Sequence, residues 1–129
     1  MAEAYLRRFG AEEFEVKSAG LESGALNPYV VRALREDDID IAGKKTQDVF
    51  ELSRHGRRYD YVITVCSKEA ADRCPIFPGA SLTELLHWPF PDPATFVGSD
   101  DEIMAQLREV RNAIKERVQE FARSALLRL

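Results

Sequence analysis

At 129 residues, with 45% hydrophobic and 31% charged side chains, the composition is that of one ordinary globular domain. A net charge of −4 excludes the basic face that non-specific nucleic-acid binding needs, and no apolar run approaches the roughly 18–20 residues that span a bilayer. Two cysteines are too few for a disulfide scaffold and residues 1–10 hold no apolar signal-peptide core, so a cytoplasmic protein is the expectation.

In chain order, residues 2–9 predict a short helix stopped by Gly10. Residues 14–19 alternate, with Phe14, Val16 and Ala19 against Glu15, Lys17 and Ser18, which predicts a strand ended by Gly20. Asn27 and Pro28 read as a cap and a first-turn proline. They open a helix with Val30, Val31 and Leu34 on one face, closed by the acidic run Glu36 to Asp38. Thr46 is the expected cap of a further short helix with Val49, Phe50 and Leu52 inward. Residues 59–66, YDYVITVC, are the best strand; its nearly continuous β-branched core suits a central parallel strand covered on both faces.

Ser67 is placed to cap a short helix through Asp72, and residues 74–79 are loop-like. Residues 83–88 predict the last strand, and Pro89, Pro91 and Pro93 then force a non-helical turn. Ser99, with Glu102 at the capping-box position, opens a long terminal helix striped by Ile103, Leu107, Val110, Ile114, Val118 and Phe121. Alternation of strands and helices predicts an α/β domain: a parallel sheet flanked by helices on both faces, in one unit over residues 1–129.

Three groups could carry chemistry. Cys66 and Cys74 flank seven residues, and Cys66 sits where a strand passes into a helix, a position that favours a thiolate. The pair reads either as a redox switch that needs local unfolding or as two small buried hydrophobes. Asp92, in F-P-D-P-A, is a preorganised general acid or a common turn aspartate. His87–Trp88 reads as packing, and Arg54, Arg57 and Arg58 as a solvated helix end. With only two histidines, His55 and His87, and no tight ligand spacing, zinc has little support. There is no C-x5-R, Walker, G-x-G-x-x-G or G-x-S-x-G motif, so the residue pattern alone leaves the function open.

The segments M-A-E-A-Y-L-R-R-F-G, K-S-A-G-L-E, L-N-P-Y-V-V, V-I-T-V-C, R-C-P-I-F-P-G, H-W-P-F-P-D-P-A and V-R-N-A-I-K-E-R follow one another along the chain. Together and in this order they resemble thioredoxin-coupled arsenate reductases of the low-molecular-weight tyrosine phosphatase superfamily. The resemblance implies a low-molecular-weight phosphatase-like parallel sheet and a relay that reduces arsenate to arsenite. In it, Cys66 attacks a phosphate-loop cysteine, Cys74 attacks Cys66 and passes the disulfide to thioredoxin, and Asp92 protonates the leaving oxygen. It implies no organic cofactor. It implies a potassium ion at Glu3, Ser18 and Asp48.

Two departures from the family pattern stand out. The 129 residues begin just after the position of the family's first strand and phosphate loop, and the spacing from Cys66 to Cys74 is one residue longer than usual. The expectation is an N-terminally truncated domain that is inactive by itself and pairs as a homodimer through unpaired strand edges. The alternative is a non-catalytic, redox-active or protein-binding remnant of the phosphatase fold.

Overall fold

The computed structural model describes residues 1–10, 13–19, 26–43, 48–56, 58–65 and 83–126. Its elements are α1 (Ala2–Gly10), α2 (Pro28–Arg35), α3 (Val49–Arg54), β1 (Tyr61–Thr64), β2 (Glu84–His87), a 3-10 turn (Pro93–Thr95) and α4 (Asp100–Leu126). They fall into two compact units. A helical unit comprises Met1–Lys17, Leu26–Lys44 and Pro93–Leu129; a sheet unit comprises Ser18–Ala25 and Lys45–Asp92.

In the helical unit, α1 and α2 both pack on α4. The Asn27 side chain caps α2 by accepting from the Tyr29 amide, with Pro28 at the first turn, as the sequence predicts. At α4 the Ser99 hydroxyl accepts from the Glu102 amide at 3.2 Å and donates to the Glu102 carboxylate at 3.1 Å. Gly98 leads into that cap at φ +126, a backbone conformation that suits glycine. The α4 stripe is real but wider than the predicted one: Met104, Arg111, Ala122 and Ala125 join Leu107, Val110, Ile114 and Val118 among the buried residues. Tyr5, Leu34, Met104, Leu107 and Val118 are the largest fully buried side chains. Each large aliphatic group removed from water in this way contributes about 1.5–3 kcal/mol.

Gly10 lies inside α1. Its Cα faces the Phe14 ring so closely that a Cβ there would lie 2.3 Å from a ring carbon. Phe14 in turn meets Phe121 of α4, with ring centroids 5.9 Å apart. The predicted strand over 14–19 is not formed; residues 14–19 have no strand assignment. The Val16 carbonyl is taken by the Arg7 guanidinium at 2.8 Å, a partner that a sheet ladder would otherwise supply.

A polar seam closes the same unit. The acidic run does end α2: Glu36 is its C-cap, and Asp38 turns the chain at φ +60. Arg8 of α1 donates to the carbonyls of Asp37 and Asp38, and Arg111 of α4 donates to the Ala33 carbonyl at 2.9 Å. Arg111 thus satisfies a carbonyl that the end of α2 leaves open, and Arg8 serves those of the turn just beyond it. Arg111 also reaches Glu36 at 2.6 Å, and Arg108 pairs with the same carboxylate at 2.8 Å. Asp37 accepts from the Tyr5 hydroxyl at 2.6 Å and from Lys115 at 3.3 Å. Burial, then the bond to Asp37, pushes the Tyr5 hydroxyl above its ordinary value. The Arg108 bonds, with Arg111 behind them, hold Glu36 down to about 2 against a smaller opposing effect of desolvation.

The sheet unit is lighter. Asp48, not Thr46, is the N-cap of α3: its carboxylate accepts from the amides of Phe50 and Glu51 at 2.7 and 3.3 Å. Thr46 lies outside the described residues. Val49 and Leu52 turn inward against Tyr59 and Val62, but Phe50 is exposed, because a six-residue helix has only one inward stripe. The strand predicted over 59–66 is shorter, Tyr61–Thr64, and every one of its residues is only partly buried. It pairs in parallel with β2, in the register Tyr61–Glu84, Val62–Leu85, Ile63–Leu86 and Thr64–His87. The α/β class and the small parallel sheet agree with the sequence reading. No helix among the described residues is long and apolar enough to cross a membrane.

Candidate functional site

Reactive groups of parallel α/β sheets collect at the carboxyl ends of the strands. Here the ladder runs past both formal strands. The Glu84 amide donates to the Asp60 carbonyl at 2.9 Å, and the Thr83 hydroxyl donates to the Tyr59 carbonyl at 2.5 Å. At the other end the Trp88 amide donates to the Thr64 carbonyl at 2.7 Å, and the Phe90 amide donates to the Val65 carbonyl at 3.2 Å.

The sequence explains why pairing persists through W-P-F-P. A parallel ladder draws amides from alternate residues of a strand. Trp88 and Phe90 supply them, while Pro89 and Pro91, which have no N–H, fall between. Amides two residues apart reach carbonyls that are adjacent in β1's continuation, so the ladder slips by one residue as it leaves the sheet. Trp88 is 6% exposed and anchors this end.

Two of the three candidate catalytic residues fall outside the described residues: Cys66 follows Val65 in the chain, and Cys74 lies within the same undescribed stretch, 66–82. Asp92 is described. It is exposed, two residues after Phe90 and directly before the 3-10 turn. The backbone toward Cys66 and the backbone toward Asp92 therefore depart from neighbouring, hydrogen-bonded points.

Of the three residues expected to hold potassium, Glu3 is buried on α1, with Arg7 at 3.4 Å. Ser18 is exposed, and Asp48 is partly buried and caps α3. All three offer hard oxygen donors, the chemistry that suits potassium. Among the described residues there is no group of three or more His, Cys, Asp or Glu able to hold a metal ion.

One pairing escaped the sequence. Thr64 Oγ1 lies 2.6 Å from His87 Nδ1, directly across the parallel pair, and 3.4 Å from the Leu86 carbonyl. His87 was read as packing; it is exposed and hydrogen-bonded instead. Only the register, which sets residue 64 opposite residue 87, could have revealed the contact.

The sequence profile of low molecular weight phosphotyrosine protein phosphatases matches residues 1–128. The chain belongs to that family. Its relatives include arsenate reductases of Halalkalibacterium halodurans, at 39% identity over 95% of this chain and 84% of that protein, and of Bacillus licheniformis, at 41% over the same shares. Among solved structures, an arsenate reductase in the oxidized state superposes with a TM-score of 0.76 at 27% identity, covering 95% of this chain and 86% of that one. A reduced-state arsenate reductase gives 0.69, also at 27% identity, covering 96% and 86%. The family's fold, with its small parallel sheet and helices, is the fold described above.

Proposed function

We propose that this chain forms the body of an arsenate reductase that works by a cysteine relay. The observation that carries the reading is the ladder at the carboxyl ends of β1 and β2, whose last bond joins Phe90, two residues before Asp92, to Val65, the residue before Cys66. The arsenate reductases among its relatives supply the substrate.

A phosphate-loop cysteine thiolate displaces an oxygen of arsenate, and Asp92 as general acid protonates that oxygen so that it leaves as water. The Cys66 thiolate then attacks the loop sulfur. A sulfur–sulfur bond forms, the sulfur–arsenic bond breaks, and its electron pair stays on arsenic, which leaves as arsenite. The Cys74 thiolate next attacks Cys66, forming the Cys66–Cys74 disulfide and freeing the loop thiolate. The two thiols of thioredoxin reduce that disulfide. A reducing cytoplasm, which keeps the resting thiols free, completes the reading.

The 129 residues contain no C-x5-R, so the loop nucleophile and its anion-cradling amides are not among them. By itself the 129-residue chain is therefore inactive, and joining such a loop to its amino end confers turnover. A potassium ion held by Glu3, Ser18 and Asp48 supports the loop, and two copies associate through strand edges.

The test is arsenite release with thioredoxin as reductant, from the 129-residue chain and from a version extended by the loop. The expected result is none from the first, and turnover from the second that Cys66→Ser abolishes and Asp92→Asn slows. Cys66-dependent turnover by the first, or none by the second, overturns the reading. Replacing potassium by choline tests the ion, and sedimentation velocity tests the dimer.

A further inference from the structure

The sheet offers one device that the relay chemistry does not use. Thr64 and His87 are register partners at the last position of each strand, and their side chains meet at 2.6 Å. Thr64 is two residues before Cys66, and His87 is five before Asp92. The backbone beneath them is also tied, through the Trp88 amide to the Thr64 carbonyl. Just beyond, the ladder slips by one residue at Val65 and Phe90, so regular pairing stops fixing the chain where precision begins to matter.

The hydroxyl has one proton for two neighbours. If that proton goes to the Leu86 carbonyl, Nδ1 must donate; if it goes to Nδ1, the ring must present a bare nitrogen. Either way the bond forms, so the clasp holds in both tautomers and in the imidazolium. A contact that survives every protonation state of the ring is suited to fixing geometry, and the ring need not take up or release a proton for it.

We propose that Thr64 and His87 are positioning residues for the relay: their hydrogen bond fixes the two strand ends from which the Cys66 thiol and the Asp92 carboxyl are carried. The proposal rests on the relay reading above. Neither side chain touches the reacting atoms; each acts through the backbone it holds. Small displacements of reacting groups are costly in rate while leaving binding nearly intact.

The experiment has two arms. In the loop-extended protein, Thr64→Val and His87→Leu are expected to lower kcat for arsenate about tenfold, with KM and melting temperature nearly unchanged. Thr64→Ser keeps the hydroxyl, and His87→Asn puts an amide where Nδ1 lies; both are expected to stay within about twofold of the parent. His87→Gln, whose amide reaches toward Nε2 instead, should not rescue. In the 129-residue chain, Cys66–Cys74 disulfide formation with oxidised glutathione is followed by mass spectrometry. Thr64→Val and His87→Leu are expected to slow it by a similar factor.

An active parent whose variants all match it overturns the proposal. So does a parallel fall of kcat and melting temperature that Ser and Asn do not rescue, because that is a plain loss of stability. If the loop-extended parent releases no arsenite, the arsenate reading fails. The clasp is then judged by the disulfide arm, where equal rates in parent and variants, or no disulfide in the parent, reject it.

Discussion

The helical unit and the sheet unit are closed by different means. In the first, Tyr5, Ala33, Leu34 and Leu107 have no exposed surface at all, and a seam of four cations and two carboxylates ties α1 and α4 to the end of α2. In the second, the best-buried described side chains are Val49 and Leu52 at 8% and Trp88 at 6%, and no residue of β1 is fully covered. Among the described residues the deeper burial is therefore in the helical unit, and the residues proposed for chemistry belong to the other. Segments that must rearrange during a reaction are drawn from the less stable part of a fold. A disulfide that moves from one cysteine to another needs such a segment.

The sharpest way to break this contrast is to cut the same side chain in both units. Leu107→Ala removes a fully buried group from the helical unit and is expected to cost about 3–5 kcal/mol in chemical denaturation. Leu52→Ala, at a site that can partly relax, is expected to cost about 2 kcal/mol. Equal losses would mean that the two units share one level of stability.

The next effect belongs to Arg111. Its side chain is 10% exposed and serves the Ala33 carbonyl and Glu36 at once. Arg111→Met leaves that carbonyl without its cation and is expected to cost about 2–3 kcal/mol. Arg111→Lys should recover little, because an ammonium on one stem cannot reproduce the guanidinium fork. Recovery by Lys would reduce the seam to simple charge attraction.

Tyr5→Phe removes one hydrogen bond to Asp37 without changing shape and is expected to cost about 1–1.5 kcal/mol at neutral pH. Its pH dependence has a definite sign. The folded value of Tyr5 lies above the ordinary 10.0 of a tyrosine hydroxyl, so the protonated hydroxyl stabilises the fold fully below pH 10. The difference between parent and Tyr5→Phe should therefore be flat up to about pH 10 and shrink above it, read from denaturation midpoints. A difference that grew at high pH would contradict the burial of this hydroxyl.

Local rules made much of this legible. The Asn27–Pro28 start, the acidic stop at Glu36 to Asp38, the Ser99 cap and the two parallel strands all rest on residues that act on their own neighbours. The failures turned on contacts that the local pattern does not show. Residues 14–19 alternate like a strand, but the Val16 carbonyl is taken by Arg7. Phe50 looked like core, yet α3 has room for one inward stripe, filled by Val49 and Leu52. Arg111 did leave a trace: it falls between Leu107 and Ile114 on the apolar face of α4, where a charge must have a buried partner. At the candidate site the proline-stiffened, non-helical stretch before Asp92 was readable, but the pairing that runs on through it to Phe90 was not. Nor was the Thr64–His87 contact, because it depends on the register of two strands nineteen residues apart.

The smallest expected effect tests whether the outer rim of the seam matters. Glu36 is 38% exposed, so most of its attraction to Arg108 is screened by water, and its net contribution is expected to be under about 1 kcal/mol. Its folded value is lowered from 4.5 to about 2, chiefly by the Arg108 bonds. The carboxylate thus stabilises the fold fully above pH 4.5, and that contribution is lost as pH falls toward 2. Asp37, lowered first by the Tyr5 hydroxyl and then by Lys115, adds a loss of the same sign. Glu36→Gln should therefore be slightly less stable than the parent at pH 6, and the gap should close between pH 4.5 and 2. Raising the salt to about 1 M should narrow the gap at pH 6, since an exposed pair is screened over about 3 Å. The inner pair behaves differently: Arg111 is nearly buried, so the cost of Arg111→Met should be almost independent of salt. If both substitutions lost their effect together in salt, the seam would be a surface feature throughout, and the contrast between the helical and sheet units would rest on apolar packing alone.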